Sequence, residues 1–181
     1  MLQNEPSILI RRSRKETGMK RTTSVFSLFL VLAIAALAAT ADPGNRTVPR
    51  LIGGSMDGRF VFEGPWEGPW TTTGDVTGTL RHLGLAKMYT RHMASPDGTL
   101  SGGVFTIVAA NGDELRGSYT ASGTWISDTQ VLGAAAFSIE EGTGRFAHAS
   151  GSITAAFLET FDDPTFASAK VSWTLEGTVS Y

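Results

Sequence analysis

The last eleven residues of the chain alternate without interruption between two kinds of side chain. One set, spaced two apart, is Val171, Trp173, Leu175, Gly177, Val179 and Tyr181, and the intervening set is Ser172, Thr174, Glu176, Thr178 and Ser180. In a strand, neighbouring side chains point to opposite faces, whereas a helix would scatter both sets around its circumference. This segment is therefore predicted to be a strand with one face in a core and the other in water.

Shorter stretches of the same kind occur upstream, separated by glycine-containing turns. Together with the last segment they predict eight strands, over residues 51–62, 71–81, 85–91, 103–109, 114–125, 130–139, 152–160 and 171–181. Asn111-Gly112-Asp113 is a strong hairpin signal, and residues 65–69 form a loop because they hold two prolines. Only residues 143–150 could form a helical turn.

Eight antiparallel strands joined by short turns can close on themselves or form two packed sheets. Closure into an up-and-down barrel removes the exposed edge strands. The small residues at inward positions favour the barrel, because a tightly coiled sheet needs them where its strands bend. The predicted fold class is a single all-β, antiparallel, eight-stranded barrel.

The amino-terminal region carries the pattern of an export signal. A basic start at residues 19–21 precedes an apolar run over residues 25–39, and residues 39–41 form a small-x-small cleavage site. We therefore expect residues 1–18 to be a gene-model extension, 19–41 a signal peptide, 42–49 a polar lead-in and 50–181 the barrel domain. We expect the processed protein to be secreted or periplasmic, without stable insertion in a membrane. The apolar run is too short for a bilayer span of about 20 residues.

Removal of the signal changes the charge balance. Residues 1–41 hold six of the 15 Lys and Arg and two of the 17 Asp and Glu, so the remaining 140 residues carry nine basic and 15 acidic side chains, a net charge of −6. An acidic domain without a basic patch disfavours nucleic-acid binding. The chain has no cysteine, which excludes disulfides and thiolate chemistry. No motif indicates a cofactor, and no histidine spacing indicates a metal site.

Several turn and loop segments resemble those of small secreted bacterial proteins with an allene oxide cyclase-like, or dirigent-like, barrel. These segments are GTGRFA at 142–147 with ASG at 149–151, TGT at 77–79 with HLG at 82–84, AANGD at 109–113 and GTVSY at 177–181. The resemblance implies a barrel whose lumen holds an apolar substrate and, in the plant relatives, steers its cyclisation or coupling. It also implies a homo-oligomer, since the plant relatives form trimers. No plant catalytic residue matches a position here, so the catalytic residues stay unknown.

Candidate ligand-binding residues come from both the loops and the strands. Trp66 and Trp70 form an aromatic loop that would either line a ligand entrance or pack as a lid over one end of the barrel. The inward faces of three predicted strands add Tyr119, Phe157 and Trp173.

Three further polar side chains lie in or near predicted turns. His82 is expected to be a turn residue, with a catalytic or ligand role as the alternative. Arg145 is expected to close one barrel end by pairing with a carboxylate, with substrate binding as the alternative. His92 is expected to be exposed at a strand end.

Three functions fit these observations. A binding module that takes a small apolar ligand in its lumen is favoured. The alternatives are a dirigent- or cyclase-like enzyme that steers an apolar substrate, and a secreted structural or interaction protein with a filled barrel. A buried carboxylate or histidine facing a cavity would favour the enzyme, and a wholly apolar cavity would favour simple binding.

Overall fold

A computed structural model describes residues 48–65, 67–162 and 165–181. The segments predicted as an extension and a signal peptide, and almost all of the predicted polar lead-in, lie outside the described residues, and so does Trp66. The described strands are β1 (Arg50–Glu63), β2 (Trp70–Leu80), β3 (Gly84–Ala94), β4 (Thr99–Val108), β5 (Glu114–Ser127), β6 (Gln130–Gly142), β7 (Ser150–Phe161) and β8 (Ser168–Ser180). No helix within these described ranges is long and apolar enough to cross a membrane.

The eight strands form a closed antiparallel barrel in sequence order. Each strand pairs with the next, and β1 closes the barrel by pairing with β8 from Arg50↔Val179 to Val61↔Ser168. The predicted fold class is confirmed, and the alternative of two packed sheets is wrong. Closure gives every strand two hydrogen-bonded neighbours and leaves no sheet edge.

Alternation along each strand determines what fills the lumen. In β8, Val171, Trp173, Leu175 and Val179 are buried, while the polar residues between them (Ser172, Thr174, Glu176 and Thr178) are exposed. The corresponding residues of the other strands complete one core inside the barrel, among them Met56, Met88, Ile107 and Ile153. Much of the lumen is thus filled by side chains.

The two ends of the barrel differ. One end, which we call the closed end, carries the turns at residues 81–83, 109–113 and 143–149. There a short 3₁₀-helix (Gly144–Phe146) buries Phe146 completely, and Leu83 and Ala149 are buried beside it. The single predicted helical turn is this element. The other end, which we call the open end, carries the loops at residues 64–69, 95–98, 128–129 and 162–167, within which the structure describes all but Trp66, Asp163 and Pro164.

The strand predictions were too short at several ends, for example at Gly142 of β6 and Ser168 of β8, and two of the errors lie on the neighbouring strands β3 and β4 at the open end. β3 continues to Ala94 rather than ending at Arg91, and β4 begins at Thr99 rather than Gly103. The reason is a β-bulge in β4, since Ser101, Gly102 and Gly103 break the alternation that marks a regular strand. As a consequence, the expectation that His92 is exposed is wrong: it is an inward-facing residue of β3 with only 3% of its surface exposed.

Candidate functional site

A cavity of about 550 Å³ occupies the open end of the barrel. It extends between the loops at this end and the first inward-facing layer of side chains. Its walls come from β1, from the ends of β2 to β7, and from the loops that follow β1, β3 and β7. The lining residues are Phe62, Gly64, Trp70, His92, Ala94, Ser95, Pro96, Gly98, Leu100, Gly123, Trp125, Val131, Phe157, Glu159, Phe161, Thr165, Phe166 and Ala167.

Aromatic rings form much of the wall near the entrance. Trp125 stacks on Phe161 with ring centroids 5.2 Å apart, and Phe166 meets both rings edge to face. Phe62 packs against Phe161 at 5.4 Å. Such packing fixes the rings relative to one another, so the entrance presents a preformed apolar surface. Deeper in the cavity, Phe157 rests on Trp173 at 4.9 Å.

A buried histidine–tyrosine pair lies at the inner end of the cavity. Nδ1 of His92 is 2.5 Å from the hydroxyl oxygen of Tyr119. Phe60 packs edge to face on the imidazole at 5.8 Å, and Phe137 stacks on the phenol ring at 4.8 Å. The neighbouring rings thereby hold both polar side chains in place.

The β4 bulge makes this pair possible. His92 on β3 and Tyr119 on β5 lie on either side of β4, at the point where β4 has an extra residue relative to both neighbours. Gly102 adopts the left-handed conformation there, with φ of 61°. A Cβ on Gly103 would lie 2.8 Å from Cδ1 of Tyr119. Glycine at 103 therefore leaves the space in which the tyrosine ring lies across the strand toward His92.

Burial controls the protonation of both members of the pair. Desolvation lowers the pKa of His92 to about 4, so its imidazole is neutral at physiological pH. Desolvation also raises the pKa of Tyr119 above its usual range; the Thr90 hydroxyl partly opposes this and the charge of Glu159 adds to it. Because a neutral phenol is a better donor than a neutral imidazole N–H, we assign the shared proton to Tyr119, which donates to Nδ1.

Glu159 is the second buried titratable group of the cavity. It is an inward residue of β7, between Val131 of β6 and Val171 of β8, and only 7% of its surface is exposed. Desolvation raises its pKa to about 7. Within the described part of the chain, its carboxyl group makes no hydrogen bond and no ion pair, although the residue faces a cavity large enough to hold a partner.

Two further buried polar atoms, the hydroxyl of Thr72 and Nε1 of Trp173, lack hydrogen-bond partners among the described residues. The hydroxyl of Thr90 also lacks a partner of good geometry, although it lies close enough to Tyr119 to lower the pKa of that phenol. Thr72 pairs directly with His92 across β2 and β3, and Thr90 lies two residues before His92. Buried polar groups are usually satisfied, so a concentration of unsatisfied ones beside a cavity indicates a site that accommodates a polar group or water.

The residues predicted from the sequence are divided between the two ends. Trp70 and Phe157 line the cavity. Tyr119 and Trp173 lie in the layer beneath it, in contact with His92 and Phe157 respectively. His82 and Arg145 lie at the closed end, and the structure does not bring them together with the others.

Arg145 holds the closed end together. Its backbone N–H donates to Oδ2 of Asp113 at 3.2 Å, and its Nε lies 3.8 Å from the same oxygen. Its Nη2 donates to the carbonyl oxygen of His82 at 2.9 Å. His82 itself is a turn residue with φ of 67°. These contacts tie three turns to one another, as expected for an arginine that closes a barrel end through a carboxylate.

Sequence reasoning missed His92 and Glu159 as cavity residues, although alternation contained the necessary signal. Continuing the inward set of β7 past Phe157 reaches Glu159 and Phe161, and continuing that of β3 past Met88 and Thr90 reaches His92. Among the described residues, no group of three or more His, Asp or Glu side chains could hold a metal ion.

The comparisons with known proteins add a similarity in shape. The solved structure of the pterocarpan synthase dirigent protein GePTS1 is similar to this chain with a TM-score of 0.45 and 16% sequence identity, over 76% of this chain and 88% of that one. No protein-family model matches the sequence, and no curated protein matches it. At this degree of similarity, function has to be inferred from the side chains of the cavity itself.

Proposed function

We propose that this protein is an exported barrel that binds a small, largely apolar molecule in the cavity at its open end. The observation that carries the proposal is the cavity itself: about 550 Å³, walled by aromatic rings, with His92 and Glu159 buried in its lining. This volume lies within the range of small-molecule binding sites. Apolar walls with a few polar groups are also typical of such sites. The apolar walls would supply affinity, and the two polar groups would set orientation.

Calorimetry with a cavity-filling variant tests the proposal. Val131 is half-buried and lines the cavity, whereas its neighbour Leu132 points outward and is exposed. We expect an aromatic probe such as naphthalene or indole to bind the wild type. Val131→Phe should weaken this binding at least tenfold, and Leu132→Phe should leave it unchanged. Absence of binding, or equal losses in both variants, would argue against the cavity as the binding site.

A second candidate, an enzyme that steers or isomerises its ligand, is favoured by one specific observation. Two titratable groups with strongly altered pKa values face the cavity, an arrangement that is typical of general acid–base sites. In its ionised form Glu159 could accept a proton from a ligand. Deuterium exchange at the acidic C–H positions of 1-indanone, followed by NMR in D₂O, tests this role. Exchange should be accelerated by the wild type and lost in Glu159→Gln, while a rate equal to that of buffer would exclude it for this substrate class.

A further inference from the structure

The charge pattern of the cavity restricts the ligand class further than shape does. None of the described lining residues is Lys or Arg, and Glu159 is the single carboxylate among them. His92 is neutral at physiological pH because its pKa is about 4. An anionic ligand would therefore enter without any cationic partner and close to a carboxyl group, which disfavours it strongly.

The surroundings of Glu159 also disfavour an anionic ligand and favour a cationic one. Its carboxyl is buried, faces the cavity and has no hydrogen bond or ion pair with any described residue. A buried carboxylate is costly unless a positive charge or several donors compensate it. The part of the barrel that the structure describes supplies neither at this position, so the ionised carboxylate would be stabilised by a positive charge on a molecule in the cavity.

The aromatic wall of the cavity also favours a positively charged ligand. Trp70, Trp125, Phe157 and Phe161 line the cavity around Glu159 together with Phe62 and Phe166. The negative faces of aromatic rings attract organic cations, and tryptophan does so most strongly. An apolar wall with one unpaired carboxyl group is thus complementary to a molecule with a hydrophobic body and one positive charge.

From the juxtaposition of the unpaired Glu159 carboxyl and the surrounding aromatic rings, we propose that the ligand is an organic ammonium ion with an apolar body, and that Glu159 is its counter-ion. This inference rests on the proposed function, because it specifies the ligand class of the same cavity. It also gives the acidic domain a consistent role, since a net charge of −6 after residue 41 attracts cations.

Cation binding should depend on pH through Glu159. The described titratable groups that face it are His92 from β3 and Tyr119 from β5. The inward neighbours on the other strands, including Phe62, Trp70, Leu100, Val131 and Val171, do not titrate. Tyr119 stays protonated, and His92 stays neutral above its pKa of about 4. Between pH 5.5 and pH 8 the charge of the cavity therefore follows Glu159, whose pKa is about 7.

Two isosteric probes test the inference by calorimetry on the purified protein. Phenyltrimethylammonium and tert-butylbenzene have the same shape and differ in charge. At pH 8 we expect the cation to bind at least tenfold more tightly than the neutral probe. At pH 5.5 the affinity for the cation should be roughly 30-fold weaker, because Glu159 must first lose its proton, and the affinity for the neutral probe should not change.

Variants assign the effect to one carboxyl group. Glu159→Gln should abolish both the preference for the cation and its pH dependence. Glu63→Gln, which alters an exposed carboxylate at the same end of the barrel, should preserve both. If Glu159→Gln does not fold, the two pH values measured on the wild type still decide the matter. Equal affinity for both probes at pH 8, or cation binding that is independent of pH, overturns the inference while leaving the proposed function intact. If neither probe binds, the proposed function itself fails.

Discussion

Replacing Glu159 by glutamine should stabilise the protein at neutral and alkaline pH, by an amount that increases with pH. In the unfolded chain this carboxyl has a pKa near 4.5, and burial raises the pKa to about 7 in the folded protein. Below pH 4.5 it is protonated in both states and does not affect their balance. As the pH rises, the unfolded chain releases the proton while the folded barrel retains it, so stability falls until the pH passes the folded pKa.

The structure sets the size of the effect. The two pKa values differ by about 2.5, and each pH unit corresponds to about 1.4 kcal/mol, so the wild type loses about 3 kcal/mol between pH 4.5 and pH 8 through this one group. Glutamine does not titrate, so the Glu159→Gln variant loses no stability with pH at this position. The difference in unfolding free energy between Glu159→Gln and the wild type should therefore rise by about 3 kcal/mol over this range.

Urea unfolding followed by tryptophan fluorescence, at half-unit pH steps and without ligand, measures this difference. His92 contributes equally to both proteins and cancels. Glu63→Gln serves as the control, because an exposed carboxylate should shift the curve by no more than about 0.5 kcal/mol at any pH. If Glu159→Gln runs parallel to the wild type from pH 4.5 to pH 8, burial does not keep this carboxyl uncharged, and the reasoning is refuted.

The remaining predictions concern three other features. Gly103→Ala should destabilise the protein by about 2 kcal/mol, because the added Cβ would collide with Tyr119. Gly112→Ala should cost only about 1 kcal/mol, because the added Cβ meets open space and only the positive φ is unfavourable. Urea unfolding of both variants measures the difference. The ring carbons of His92 should show no NMR protonation shift until the pH approaches 4, and a midpoint above 6 would contradict its burial. Arg145→Ala should lower the unfolding free energy by about 1 kcal/mol, because it removes contacts that join the turns of the closed end. The affinity for the probes should change by no more than twofold. A large loss of affinity would indicate that the binding site lies at the closed end.

The fold could be predicted from the sequence because each strand carries its own signal. Alternation is strongest in β8, where Trp173 and Leu175 are buried and Thr174 and Glu176 are exposed. Turn residues separated the strands, and the avoidance of free edges favoured a closed barrel. Among the boundaries that failed, those of β3 and β4 lie around the β4 bulge, where an extra residue reverses the inward and outward positions and makes the first half of β4 look like a loop.

The site was harder to predict because the candidate residues could not be assigned to barrel ends. In an up-and-down barrel, successive turns lie at alternate ends, so the turns that hold His82 and Arg145 lie opposite the loop that precedes Trp70. This parity rule would have separated the candidates once closure was assumed. The depth at which His92 and Glu159 lie depends in addition on the stagger between strands, which no local pattern specifies.

The two buried titratable groups of the cavity affect stability in opposite directions. The contribution of His92 is present above pH 6.5 and is lost as the pH falls toward 4, whereas that of Glu159 is present below pH 4.5 and is lost as the pH rises toward 7. Between pH 4.5 and pH 6.5 the two groups change the unfolding free energy in opposite directions by similar amounts. The stability of the wild type should therefore depend little on pH in this range through these two groups, and only variants that lack one of them reveal the other. A barrel that keeps both groups loses up to about 3 kcal/mol at either extreme of pH, and the organic cation proposed for the cavity would offset the part of this loss that Glu159 causes.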